Sequence, residues 1–179
     1  MQTGAPTRDR LIESAARLFR AKGYHGVGLA EILEAAEAPK GSLYHAFPAG
    51  KPDLALAAAD AMSRQMLGTF ARAFETAPDW ETGRAELVAL LAAEFEGPGG
   101  RAGCPVAAIL FDDPANGAFR TRATAIYDRW QRAFAYHAIR LGEDEARAEA
   151  LAATLLLALQ GAWVLARARG SAAPLRDLA

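Results

Sequence analysis

The chain has 179 residues, 52% of them hydrophobic, with 20 Lys/Arg against 21 Asp/Glu and a single cysteine. That is enough apolar material for one large domain, or for a small domain joined to a larger one. The near-neutral balance excludes a protein coated in basic charge, and one cysteine excludes an intrachain disulfide and gives no metal cluster.

Alanine and leucine are abundant and β-branched residues are few, a mix that favours helix over sheet and predicts an all-α fold. Charge is unevenly placed. Residues 1–51 carry seven Lys/Arg and five Asp/Glu, a balance of +2, and the remainder carries −3. Such a mildly basic front end is weak support for nucleic-acid contact there. The opening "MQTGAPTRDR" holds no apolar segment, so no signal peptide is read and a cytoplasmic location is expected.

Leu11, Ile12, Ala15, Leu18 and Phe19 recur at helical spacing, which predicts an amphipathic helix over 7–22 with Thr7 as its N-cap and Gly23 as its stop. A second short helix follows Gly28 and carries Leu29, Ile32, Leu33 and Ala36. "EAP" breaks the pattern, and Pro39 suits the first turn of a third helix running to about Phe47. Leu43 and Phe47 then face the first two helices, leaving Lys40, Ser42, Tyr44 and His45 on or near the other side. Two short helices joined by a tight turn and braced by a longer one make a helix-turn-helix over about 28–47. Lys40 and Lys51 can neutralise phosphates. Tyr44 and His45 can donate to phosphate oxygens or base edges, and Gly41 lets the backbone approach a duplex closely.

The rest also reads as helices: 51–75 with Pro52 and Asp53 in its first turn, 82–96, a short apolar helix or turn in 104–113 after a loop at 97–103, then 116–142 and 143–170 separated at Gly142. The apolar run at 150–166 is short for a membrane span and reads as a buried helix. His25 reads as a loop residue and His137 as a surface or core residue, with no partner at metal spacing. Asp112 and Asp113, adjacent on a helix, point apart and end the short helix before Pro114. Cys104 reads as a small helix-start residue, with a redox-sensing thiol as the rarer alternative. Met62, Met66, Phe70, Phe95, Ile109, Phe111, Tyr127, Trp130, Phe134 and Trp163 are each more often core than pocket. As a set they exceed what a small helical core needs, which predicts a mostly apolar effector pocket with Cys104, Asp128, Gln131 and Gln160 as sparse polar groups. No cluster of cations lines it, so a flat aromatic or lipophilic ligand is expected over an anionic one.

Residues 10–54, "RLIESAARLFRAKGYHGVGLAEILEAAEAPKGSLYHAFPAGKPDL", resemble the TetR family of transcriptional regulators. The carriers are a first helix ending in Phe before a "GY" pair, a short second helix, and the "KGSLYH" run. The "FPAGK" spacing and "GCPVAA" at 103–108 resemble the branch of the lincomycin-resistance repressor and its flavonoid-responsive relatives. The resemblance implies a three-helix DNA-binding domain over 5–65 and a larger helical effector-binding and dimerisation domain over 66–179. It also implies a homodimer on a pseudo-palindromic double-stranded operator, acting as a repressor that a small molecule releases. It places Lys40, Gly41, Ser42, Tyr44 and His45 on the recognition helix beside Pro39. Lys51 falls at a phosphate-contacting helix start, and Thr7, Gly28 and Leu29 at helix N-termini facing the backbone. Four positions depart from the pattern. Gly28 replaces a Ser/Thr cap, Glu37 stands where a turn glycine is common and would need φ > 0, Pro39 replaces a Ser, and Ala46 an aromatic or His.

A dimer is expected through the last two long helices, with Ala152, Ala153, Leu156, Leu159, Gln160 and Trp163 packing against a twofold mate. No metal, cofactor or membrane partner is read from the sequence. An enzyme would need a nucleophile–base set or clustered carboxylates, and neither is found. The rival reading is a helical small-molecule binding protein whose helix-turn-helix does not bind DNA.

Overall fold

The computed structural model describes residues 6–97, 103–113 and 115–179. Its helices are α1 (Thr7–Lys22), α2 (Leu29–Ala35), α3 (Lys40–Ala46), α4 (Lys51–Glu75), α5 (Trp80–Glu96), α6 (Ala107–Leu110), α7 (Gly117–Arg140), α8 (Glu145–Arg169) and α9 (Ala173–Arg176). The fold is all-α, with no strand among the described residues. The chain divides into two compact units. The first holds residues up to Ser63 together with Pro105–Ala123, and the second holds Arg64–Cys104 together with Thr124–Ala179. Most of the loop expected at 97–103, and Pro114, lie outside the described residues.

In the first unit, α2, α3 and α6 pack on α1. Leu11, Ile12, Ala15 and Phe19 of α1 are buried at the expected spacing, and Ser14 and Ala16 join them. Gly23 ends the helix at φ 75, its N–H donating to the Phe19 carbonyl at 2.8 Å. Thr7 is not the cap: Pro6 occupies that position and Thr7 is the first helical residue, so its hydroxyl does not serve the helix start. The third helix is also shorter at both ends than expected, Pro39 and Phe47 being its caps. Leu43 and Phe47 point inward as predicted, and the Arg8 guanidinium lies 5.3 Å from the Phe47 ring centroid. Arg122 of α7 pairs with Asp60 of α4.

The second unit is held by rings. Phe70, Trp130 and Phe134 are fully buried; Phe70 sits 5.5 Å from Trp130 and 4.4 Å from Phe134. Phe74 is stacked between Trp80 at 5.0 Å and His137 at 5.1 Å, and Arg140 donates to the Phe74 carbonyl. α5 starts at Trp80, two residues before the expected Thr82, because the Asp79 carboxylate caps it by accepting from the Thr82 N–H at 2.8 Å. That bond holds the Asp79 carboxyl below the usual carboxylate range. α9, which the sequence reading did not include, buries Pro174 and Leu175 against α5 and α8.

By length and composition α8 could cross a membrane, contrary to the expectation that its apolar run is too short. In the structure one side of it is buried in the second unit, through Ala148, Ala152, Leu155, Leu159, Ala162, Trp163 and Ala166. Three residues assigned to the dimer face, Ala152, Leu159 and Trp163, therefore point into their own unit. The large apolar residues that α8 leaves exposed are Leu157, Val164 and Leu165, and α7 adds Tyr136 and Ile139.

Candidate nucleic-acid interface

The outward side of α3 carries the residues that the sequence singled out. Lys40, Gly41, Tyr44 and His45 are exposed, Tyr44 by 46%, while Leu43 on the same helix is fully buried. Ser42 is half-buried and donates its hydroxyl to the Pro39 carbonyl at 2.7 Å, closing the first turn of its own helix. Tyr44 lies against Gly50, where a Cβ would stand 3.3 Å from the ring, and Gly50 itself has φ 73. A Cβ built at Gly41 or at Gly28 would meet nothing within 4 Å. Neither glycine is explained by internal packing, and a helical glycine such as Gly41 weakens its helix by roughly 1 kcal/mol relative to alanine. Open backbone at both points is what close approach to an external surface requires. Gly28 caps α2 in an extended conformation, followed by the half-buried Leu29.

Lys51 is the first residue of α4, a position where a cation runs against the helix macrodipole and does not serve helix stability. Its ammonium lies 4.4 Å from the Tyr24 ring centroid. Burial lowers its pKa, while the negative charge of Asp112 acts in the opposite direction. Burial raises the Tyr24 hydroxyl, helped by Asp113.

Two residues not predicted as site residues shape this face. Arg10 of α1 donates from Nε to the Ala36 carbonyl at 3.0 Å and from Nη2 to the Glu37 carbonyl at 3.3 Å. Asp112 does not end the short helix, which stops at Leu110. Its Oδ2 accepts from the His25 N–H at 2.8 Å, tying the segment after α6 to the turn after α1. For the first, the left-handed position at Glu37 is readable in the sequence, but nothing local points to Arg10 as the donor. The second carries no sequence signal, because 87 positions separate its partners.

This arrangement, a short polar-faced helix locked by two inward apolar residues and braced by α1, matches known regulators along the chain. Residues 11–58 match the family described as bacterial regulatory proteins, tetR family. Residues 82–179 match the transcriptional regulator LmrA/YxaF-like C-terminal domain. The HTH-type transcriptional regulator Rv0196 of Mycobacterium tuberculosis is 32% identical over 94% of this chain and 88% of its own. The chain belongs to the TetR family of transcriptional regulators. Its fold is similar to that of a TetR transcriptional regulator from Chloroflexus aurantiacus, with a TM-score of 0.79 and 28% identity over 99% of this chain and 92% of that one. It is also similar to a cysteine mutant of the TetR-family regulator CifR, complexed with 26-base-pair double-strand operator DNA, with a TM-score of 0.79 and 27% identity over 95% and 91% of the two chains. The chain is thus a DNA-binding transcriptional regulator of the LmrA/YxaF-like branch, and not an enzyme.

The TetR-type effector residues expected from the sequence divide between the units. Met62, Ile109 and Phe111 belong to the first, where Phe111 is 55% exposed. Met66, Phe70, Phe95, Cys104, Tyr127, Trp130, Phe134 and Trp163 belong to the second. There the buried Cys104 thiol lies 3.4 Å from the Tyr127 hydroxyl, which donates to Gln160 Oε1 at 3.4 Å. Burial, with a further contribution from Cys104, pushes the Tyr127 hydroxyl up. Gln160 Nε2 is buried without a hydrogen-bond partner. The other two expected polar groups, Asp128 and Gln131, sit elsewhere, in a cleft of about 310 Å³ shared with Arg132, Ala135 and Glu149.

Proposed function

We propose that the protein is a repressor that binds a pseudo-palindromic operator as a homodimer and is released by a small, mostly apolar or aromatic effector. The observation that carries the DNA reading is the division of α3. Leu43 is fully buried while Lys40, Tyr44 and His45 stay outside, with Gly41 open beside them. Lys40 and Lys51 supply phosphate contacts, and Tyr44 and His45 reach phosphates or base edges. Thr7, Gly28 and Pro39 flank them at helix starts.

The dimer reading is supported by the exposed apolar residues of α7 and α8, Tyr136, Ile139, Leu157, Val164 and Leu165. A twofold mate covering them would set two recognition helices on major grooves about 34–36 Å apart, or a multiple of that turn. The effector reading rests on the aromatic interior of the second unit and on the uncharged group Cys104–Tyr127–Gln160. An orphan amide donor of this kind favours a ligand that offers a carbonyl or ring oxygen over a strongly anionic one. Release follows if that ligand binds better to the form whose two heads are misplaced.

The test is a titration of the operator-bound protein with hydrophobic aromatic compounds, reading tryptophan fluorescence for binding and operator retention for coupling. Operator release at saturation supports the proposal. A ligand that saturates the protein yet leaves operator affinity unchanged contradicts the effector reading. A protein that binds ligand but selects no sequence from random duplexes is instead a small-molecule binding protein with an idle head.

A further inference from the structure

The turn that aims α3 is built on an unfavourable residue. α2 ends in a Schellman motif: the Glu37 N–H donates to the Glu34 carbonyl at 3.0 Å, and the Ala38 N–H to the Leu33 carbonyl at 2.9 Å. The motif needs a left-handed residue at its centre, and that residue is Glu37, at φ 48, among the described residues the only non-glycine with positive φ. Its Cβ strains this conformation, and glycine would not. The motif takes up only the Leu33 and Glu34 carbonyls and leaves those of Ala36 and Glu37 open to other donors.

Arg10 supplies both. It projects from the first turns of α1, across 26 and 27 positions of sequence, and places Nε on the Ala36 carbonyl and Nη2 on the Glu37 carbonyl. A planar guanidinium presents two N–H groups in a fixed fork, which fits two successive carbonyls; an ammonium is a point donor on a flexible stem and lacks that fork. The acceptors belong to a turn whose strain would otherwise be relieved by relaxing Glu37. Lys40, the first residue of α3, follows Glu37 by three positions, so the backbone at Glu37 sets where α3 starts and which way it runs.

We infer that Arg10 is a positioning residue for operator recognition: its forked hold on the Ala36 and Glu37 carbonyls locks the left-handed turn and so fixes the angle at which α3 presents Lys40, Tyr44 and His45. Arg10 is one of the cations near the front of the chain, and its charge suggests a phosphate contact instead. The two roles separate chemically. A phosphate contact acts on any duplex and enters the salt slope, whereas the turn lock acts through the fork on the aim of α3 alone.

The inference rests on α3 being the DNA-reading helix, and Tyr44→Ala tests that separately. The experiment compares wild type, Arg10→Lys, Arg10→Gln, Glu37→Gly and Arg10→Gln with Glu37→Gly. Each is measured for affinity to operator and to a non-specific duplex across a salt series, with thermal unfolding followed in parallel. Arg10→Lys and Arg10→Gln are expected to weaken operator binding by roughly tenfold, the scale of one lost set of charge-assisted hydrogen bonds. Their non-specific affinity and salt slope should stay at the wild-type values. Glu37→Gly in the Arg10→Gln chain should recover most of the loss, because glycine holds the turn without the clamp. The inference is overturned if Arg10→Lys binds operator like wild type. It is equally overturned if Arg10→Gln loses affinity for both duplexes with a slope lower by about one, the mark of a phosphate contact, or if Glu37→Gly recovers nothing in a chain that unfolds at the same temperature. Should Arg10→Gln not fold, Arg10→Lys with and without Glu37→Gly carries the same comparison.

Discussion

The two units are both helical but are held in different ways. In the first, α2 and α3 have seven residues each, too short to be stable alone. Polar side chains acting on backbone groups fix the turns around them: Arg10 on two carbonyls, Asp112 on the His25 N–H, and Asp53 on the Ala49 N–H. In the second unit all helices but α9 are long and most of the ring-on-ring packing is found there, from Phe70–Trp130–Phe134 to the Trp80–Phe74–His137 stack, whereas the first unit has the smaller Phe19–Tyr24–Phe119 set. The first unit is thus sensitive to backbone geometry and charge, the second to volume. A substitution on the outer side of α3 should change function and leave stability alone, and one in the ring cluster should do the reverse.

Trp130→Ala, which empties the centre of the second unit, should have the largest effect on stability. Its ring is fully buried against Phe70, so the loss is expected to be about 3–5 kcal/mol by urea denaturation. A loss under about 1 kcal/mol would mean that the rings are not close-packed and would blur the contrast.

Gly83→Ala tests the same point from the opposite side. A Cβ there would overlap the Phe74 ring, itself sandwiched between Trp80 and His137 and with little room to move. Overpacking should lower stability by about 1–3 kcal/mol. A neutral result would show that the stack shifts freely.

The smallest effect is a pH dependence from His137. Burial, with the nearby Arg140, lowers its pKa, and its Nδ1 is buried without a hydrogen-bond partner. The folded state therefore binds fewer protons than the unfolded state below about pH 6.5. The contribution of His137 to stability is complete above that pH and is lost as the pH falls through the lowered pKa. His137→Phe should remove this part of the slope, seen as a smaller drop in stability between pH 7 and pH 5 than in wild type. Equal slopes in the two proteins would assign the dependence to other groups.

Much of the first unit was legible because its signals are local. Gly23 stops α1, Pro52 and Asp53 lie in the first turn of α4, and the resemblance marked Glu37 as a left-handed position, where φ is 48. Contacts across sequence were not legible: the Arg10 lock and the Asp112 tie join distant segments and leave no periodic trace. In the second unit, α8 is apolar nearly all round, so periodicity could not choose its inner side. Ala152, Leu159 and Trp163, expected on the dimer face, lie inward, while Leu157, Val164 and Leu165 are exposed. α9 is a single turn, too short to show a period.

The proposal turns on DNA contact by α3 and the start of α4, through Lys40, Tyr44 and His45 outside the core and through Lys51 beside the Tyr24 ring. Its most direct test is fluorescence anisotropy of an operator duplex, selected by the wild-type protein from random sequence, against Tyr44→Ala and Lys51→Ala across a salt series. Tyr44→Ala should unfold within about 0.5 kcal/mol of wild type, as expected for an exposed side chain, and bind the operator at least about tenfold more weakly. Lys51→Ala should lose affinity almost equally for all sequences, with a salt slope lower by about one. Both variants binding the operator like wild type at matched salt would contradict the account.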